Sequence, residues 1–134
     1  MKMNQKNVAI PVLLFCLAFL LPSCKKKVEP DPYAFLKGTW RYENGAECLF
    51  DATTKIAKLT KVPTDNGKFK FVVGEDCWRN VASVGTDKWE YSQIIRYSDG
   101  KTVEYAKTSA SKQDENTLTT DVLGLGKGML KRVP

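Results

Sequence analysis

The chain has 134 residues, which is room for one domain and not for two. It contains no histidine, and so lacks the commonest general base, triad member and metal ligand. Its formal charge of +6 comes from 21 basic and 15 acidic residues, a mildly basic balance with part of the excess gathered near the N-terminus. The first 23 residues read as a secretory signal. Lys2 and Lys6 form a positive start, residues 8–21 form an apolar run broken only by Pro11, and Leu21-Pro22-Ser23 leads into Cys24. The run is too short for a permanent membrane-spanning helix, and its lysine flanks and abrupt change to Lys25-Lys26-Lys27 argue against a buried core helix.

Leu21-Pro22-Ser23-Cys24 resembles a bacterial lipobox, with small Ser23 before the cut and Cys24 as the residue to be acylated. The whole start, through Lys25 and Lys26, is similar to lipoproteins of the Bacteroidota. The resemblance implies a mature chain beginning at Cys24 and held to the outer membrane by its acyl chains, since two or more chains anchor stably where one does not. Cleavage would lower the formal charge from +6 to +4, because Lys2 and Lys6 leave and residues 1–23 hold no acid. Lys25, Lys26 and Lys27 would then favour anionic headgroups by about 1 kcal/mol each. An exported protein of this kind is not expected to bind nucleic acid. Lysines just after the cysteine, where surface-exported relatives carry acids, place it facing the periplasm. Residues 24–32 form the acylated cysteine and a tether stiffened by Pro30 and Pro32.

From residue 33 to 134 the chain reads as one β domain. Residues 33–36 can form a helical turn, with Asp31 as its cap and Pro32 in the first position. Residues 38–43 alternate, with Trp40 and Tyr42 on one face, and Asn44-Gly45 signals a two-residue hairpin turn. Residues 47–51 return with Cys48 and Phe50 on one face, and residues 56–62 are read as a strand from their Thr and Val content and the following Pro63. After a turn at Asp65-Asn66-Gly67, residues 68–73 alternate with Phe69, Phe71 and Val73 inward. Residues 76–84 carry Cys77, Trp78 and Val81. Residues 89–97 form the longest predicted strand, placing Trp89, Tyr91, Gln93, Ile95 and Tyr97 on one face. Asp99-Gly100 turns the chain into residues 101–107, with Val103 and Tyr105 inward, and the small polar run from Thr108 opens a loop to Asn116. Residues 117–123 and 127–133 are the last strands, joined through Gly124-Leu125-Gly126.

Such evenly spaced short strands predict an all-β fold, a small antiparallel up-and-down barrel of about eight strands or a sandwich. Gly38-Thr39-Trp40 in the first strand, with Lys131-Arg132 in the last, resembles the signature of lipocalin-like (calycin) barrels. The resemblance implies that a basic side chain of the final strand lies over Trp40 and closes one end. Arg132 is the choice for that role and Lys131 the register alternative, the cation over the indole contributing about 0.5–2 kcal/mol. Cys16 leaves with the signal and Cys24 is acylated, so Cys48 and Cys77 remain. In an oxidising compartment they are expected to form a disulfide, worth roughly 3 kcal/mol for a loop of about thirty residues; two separate buried thiols are the alternative. The order Gly-x-Trp, Cys48, Cys77-Trp78 and a late basic strand is similar to small bacterial calycin inhibitors of secreted proteases. Some of these insert a free N-terminal trunk into the enzyme, a mode that an acylated Cys24 would prevent here.

Catalysis is not expected. The adjacent acids Glu75-Asp76 and Asp114-Glu115 point apart on a strand or turn, and Gly124-x-Gly126-x-Gly128 is followed by no helix to make a dinucleotide loop. Asp99 and Asp121 form no calcium loop, and neither a metal nor another cofactor is implied. Alternation places a ligand pocket, if the barrel is hollow, at the open end, lined by Phe71, Trp89, Tyr91 and Tyr105. Three functions fit: binding a small apolar ligand, engaging a protease or another envelope protein through barrel-rim loops, or a purely structural role. An apolar cavity of roughly a few hundred Å³ favours the first and a filled barrel with an apolar rim the second. The resemblance leads to the first, with the protein-directed role as alternative.

Overall fold

Short alternating strands joined by turns make a sheet with one apolar face, and a small sheet can bury that face by curling onto itself. The computed structural model describes residues 25–134; residues 1–23, expected to be a signal, and Cys24, expected to be acylated, lie outside the described residues. Eight strands follow one another: β1 Gly38–Tyr42, β2 Glu47–Asp51, β3 Ile56–Lys61, β4 Asp76–Gly85, β5 Lys88–Arg96, β6 Val103–Asp114, β7 Thr117–Val122 and β8 Gly126–Arg132. Each pairs antiparallel with the next and β8 returns to β1, so the fold is the expected all-β, up-and-down closed barrel. Connections 43–46, 62–75, 97–102 and 123–125 lie at one end. The tether and the turns 52–55, 86–87 and 115–116 lie at the other.

The tether end is sealed. A 3-10 turn, Ala34–Leu36, lies across it after Asp31 Oδ1 accepts the Tyr33 N–H at 2.9 Å. The fully buried Trp40 donates its indole N–H to the Leu36 carbonyl at 2.9 Å. Trp89, at the start of β5, likewise donates to the Pro32 carbonyl at 2.8 Å, and Phe35 stacks on its ring at 5.7 Å. The Arg132 guanidinium sits 4.4 Å from the Trp40 ring centroid and 5.0 Å from that of Phe35, and it donates to the Lys37 and Phe35 carbonyls at 2.8 and 2.7 Å. Lys131 instead points to Thr117. Gly38 has φ +108, a backbone that side chains rarely adopt, and a Cβ there would sit 3.4 Å from the same guanidinium.

Above this seal the barrel is packed with rings. Trp78 stacks on Tyr91 at 4.7 Å and meets Phe50 at 6.1 Å. The space for those rings comes from β6, where Thr108 stands opposite Tyr91 and Ala110 opposite Trp89. The small polar run from Thr108 is therefore strand and not the expected loop. Its short side chains leave room for the neighbouring strand's aromatics, and β6 becomes the longest strand.

Three further expectations are corrected. Residues 68–73 do not extend: the chain forms a short helix, α1, Asn66–Phe69, and Lys70 turns left-handed with φ 55. The Asn66 side chain clamps both backbone groups of Phe71, accepting its N–H at 2.6 Å and donating to its carbonyl at 2.8 Å, and so takes the place of a neighbouring strand. The β1–β2 turn is longer than a two-residue hairpin. Only Gly45 has positive φ, at 85, while Asn44 Oδ1 accepts the Ala46 N–H. The Cys48–Cys77 disulfide is not formed. Both thiols are free and buried side by side, and Cys77 Sγ donates to the Ala57 carbonyl at 3.2 Å. β4 carries bulges at this point, with adjacent Cys77 and Trp78 both buried and Asn80 at φ 55.

Arg132→Ala should lower stability by roughly 2–4 kcal/mol in urea titrations, because it removes a cation–ring contact and charge-assisted hydrogen bonds together. Arg132→Lys should restore less than half of the loss, since an ammonium cannot span two carbonyls and a ring. An unchanged midpoint for the alanine variant would contradict this account of the seal. Burial also pushes the Cys48 thiol well above its ordinary pKa. Residues 25–134 should therefore consume a chromogenic disulfide reagent only after denaturation, and rapid reaction of the native protein would contradict the packing.

Candidate functional site

With one end sealed, only the other offers access. There the turn 43–46, the 62–75 connection and the last residues of β5 surround a pocket of about 70 Å³. Its walls are built by alternation. Tyr42 is the last inward residue of β1, Leu59 faces in from β3, and Gln93 follows Trp89 and Tyr91 on the inward face of β5. Phe71, held by Asn66, forms the outer lip beside Pro63 and Ile94. Ile94 follows the inward-facing Gln93 directly and is also buried, at the end of the β4–β5 pairing.

A polar chain runs into the pocket from the core. The Trp78 indole N–H donates to the Tyr42 hydroxyl at 2.5 Å, and that hydroxyl donates to Gln93 Oε1 at 3.2 Å. Burial, with smaller contributions from Cys48, Tyr91 and Cys77, pushes the Tyr42 phenol well above its ordinary pKa, so it stays a neutral donor. No carboxylate, ammonium or guanidinium lines the pocket. A wider groove of about 270 Å³ adjoins it, sharing Tyr42, Asn44 and Gln93 and reaching Leu125, Lys127 and Met129 on the β8 side. The outer lip is pinned by the Arg96–Glu75 ion pair at 2.6 Å, which joins the end of β5 to the 62–75 connection. Thr64 N–H donates to the Asn44 carbonyl at 3.1 Å and fastens the turn 43–46 to the same connection.

The four residues expected to line one pocket are dispersed. Phe71 is at the open-end pocket. Trp89 belongs to the sealed end, where it packs on Phe35. Tyr91 fills the middle of the barrel against Trp78. Tyr105 lies under the Arg79 guanidinium, 4.1 Å from its ring centroid, with its hydroxyl donating to the Asp76 carbonyl at 3.1 Å. The residues the sequence reading missed, Tyr42 and Gln93, were nevertheless signalled by it. Gln93 is the one amide on an inward face otherwise begun by aromatics, and such a residue needs a polar partner inside the barrel.

The outer rim of this end differs chemically from the pocket. Leu123 and Leu125, on the β7–β8 turn, are 75% and 65% exposed, and Val72 and Val73 on the 62–75 connection are each 60% exposed. Tyr97 is also exposed beside the 97–102 turn. None of the large exposed hydrophobic residues falls in the turns 52–55, 86–87 or 115–116 of the sealed end. Among the described residues, no three His, Cys, Asp or Glu side chains cluster as a metal site requires.

The Tyr91 hydroxyl is buried without a hydrogen-bond partner among the described residues. Tyr91→Phe should therefore leave stability unchanged or raise it by up to about 1 kcal/mol, since the lost hydroxyl makes no bond that repays its desolvation. A loss of more than about 1 kcal/mol in urea titration would point to a bond at this hydroxyl.

No protein-family model matches the chain, and comparison with curated proteins and with solved structures finds no significant match either, so the functional reading rests on this geometry.

Proposed function

We propose that the protein is a non-catalytic, lipid-anchored envelope protein of lipocalin-like (calycin) character that engages a partner protein through the open-end rim of its barrel. One observation carries this reading. Apart from Val28 in the segment before β1, the large exposed hydrophobic residues outside the strands, Leu123, Leu125, Val72, Val73 and Tyr97, lie on the open-end loops, and none falls in the sealed-end turns. Loop-borne apolar patches with polar surroundings are a common mark of protein contact surfaces.

The arrangement of the chain supports an anchored orientation. Residues 31–37 dock on the sealed end through the Pro32, Leu36 and Phe35 carbonyls, so an acyl anchor at Cys24 would sit at that end. The rim would then face away from the outer membrane, towards a periplasmic partner. An inhibitory role would work through these loops and not through an inserted N-terminal trunk, because the segment preceding β1 is bound to the barrel. A bulky apolar ligand enclosed in the lumen is the weaker reading. Trp40, Trp78, Trp89, Leu118 and Leu130 fill the interior, and the open-end pocket of about 70 Å³ is well below the volume such a ligand occupies.

Photo-crosslinking in intact cells tests this. A photoreactive residue placed at Leu125 should give a discrete protein adduct, while one at Val84, exposed near the sealed end, should not. Leu123→Ser with Val72→Ser should abolish the Leu125 adduct while changing stability by less than about 1 kcal/mol, as expected for exposed positions. Equal labelling from both ends, or an adduct that survives the rim substitutions, would refute the proposal.

A further inference from the structure

We infer that the inner open-end pocket is a binding site for a small uncharged carbonyl compound, such as a ketone, ester or amide with a short apolar arm, gripped by the Gln93 amide N–H. This site stands independently of the rim. The inference begins with the direction of the protons. An indole N–H can only donate, so the Tyr42 oxygen accepts from Trp78 at 2.5 Å. The phenolic proton goes to Gln93 Oε1, 3.2 Å away, so the amide presents its oxygen there. Its NH₂ group makes no hydrogen bond to another described residue, and Gln93 lines the pocket. The pocket therefore offers a donor whose orientation is set from the core.

The acceptors nearby are already engaged. Gln93 Oε1 serves Tyr42, Asn44 Oδ1 serves the Ala46 N–H, and the Ala57 carbonyl serves Cys77. A carbonyl ligand needs only the free donor, whereas a hydroxyl must also place its proton on an oxygen that already accepts one bond. Leu59, Ile94, Phe71 and Pro63 supply an apolar wall, and no side chain in the lining could neutralise a charged group. The volume of about 70 Å³ limits the enclosed part to roughly three to five heavy atoms, judged against the cavity of ~150 Å³ that admits benzene. A longer ligand would continue into the adjoining groove of about 270 Å³, which shares Gln93.

The experiment uses residues 25–134, in which every strand of the barrel is paired on both sides. The isotopically labelled protein is titrated by NMR with 2-butanone and with 2-methyl-1-butene, the same skeleton without the oxygen. Butanone should shift the Gln93 side-chain NH₂ and Trp78 indole signals along a saturating millimolar curve, and the alkene should bind about tenfold more weakly. Gln93→Met should weaken butanone about tenfold and leave the alkene unaffected. Gln93→Leu, which also removes the donor, should weaken butanone as well and covers the case in which the methionine variant fails to fold. Non-saturating shifts, equal affinity for ketone and alkene, or undiminished butanone binding in either folded variant would overturn the inference and leave the pocket to water.

Discussion

The fold depends on how its first and last strands meet over one indole. The β1–β8 seam has three register pairs, against nine between β5 and β6, so the backbone ladder alone closes the barrel weakly. Trp40 and Arg132 reinforce that seam from the side chains. The indole is buried and fixed by the Leu36 carbonyl, while the guanidinium covers the ring and reaches two carbonyls of the segment that precedes β1. One arginine thus joins the segment just before β1, the first strand and the last strand. These contacts join residues 95 and 97 positions apart and so carry a large loop-closure cost.

The interior follows from the same constraint of limited space. A small eight-stranded barrel has a lumen only as wide as its side chains, so large rings on one strand require small residues on the next. Trp89 and Tyr91 on β5 meet Ala110 and Thr108 on β6 in this way. Among the described residues, Trp40, Trp78 and Trp89 fill the core at the sealed end and in the middle, and a pocket remains where β1, β3 and β5 end. The Cys48 and Cys77 thiols are buried, Cys77 on the wall of that pocket, and burial accounts for the raised pKa of Cys48.

The open end combines two surfaces of opposite character. Inside, a directed series of hydrogen bonds leads from Trp78 through Tyr42 to the Gln93 oxygen and leaves the amide NH₂ without a partner among the described residues. Outside, leucine and valine side chains stand in solvent on separate loops. The Arg96–Glu75 pair and the Asn66 clamp hold the 62–75 connection between these surfaces, so that the position of Phe71 is coupled to both.

How much of this was legible in the sequence depends on whether a feature is local. Turn spacing and alternation determined the all-β barrel and most strand positions, because a period of two with glycine- and asparagine-rich breaks is a local property of the chain. Local pattern was misleading at residues 68–73, where Asn66 bonds to Phe71, and at residues 108–116, where smallness answers aromatic neighbours on β5. Of the four residues that alternation puts together as a pocket lining, only Phe71 lies at the open-end pocket. Alternation assigns a face of the sheet and cannot assign height along the barrel axis, so Trp89 and Tyr91 share Gln93's face but lie deeper. That height is decided by register and closure, which exist only once β8 has returned to β1 and Arg132 has covered Trp40.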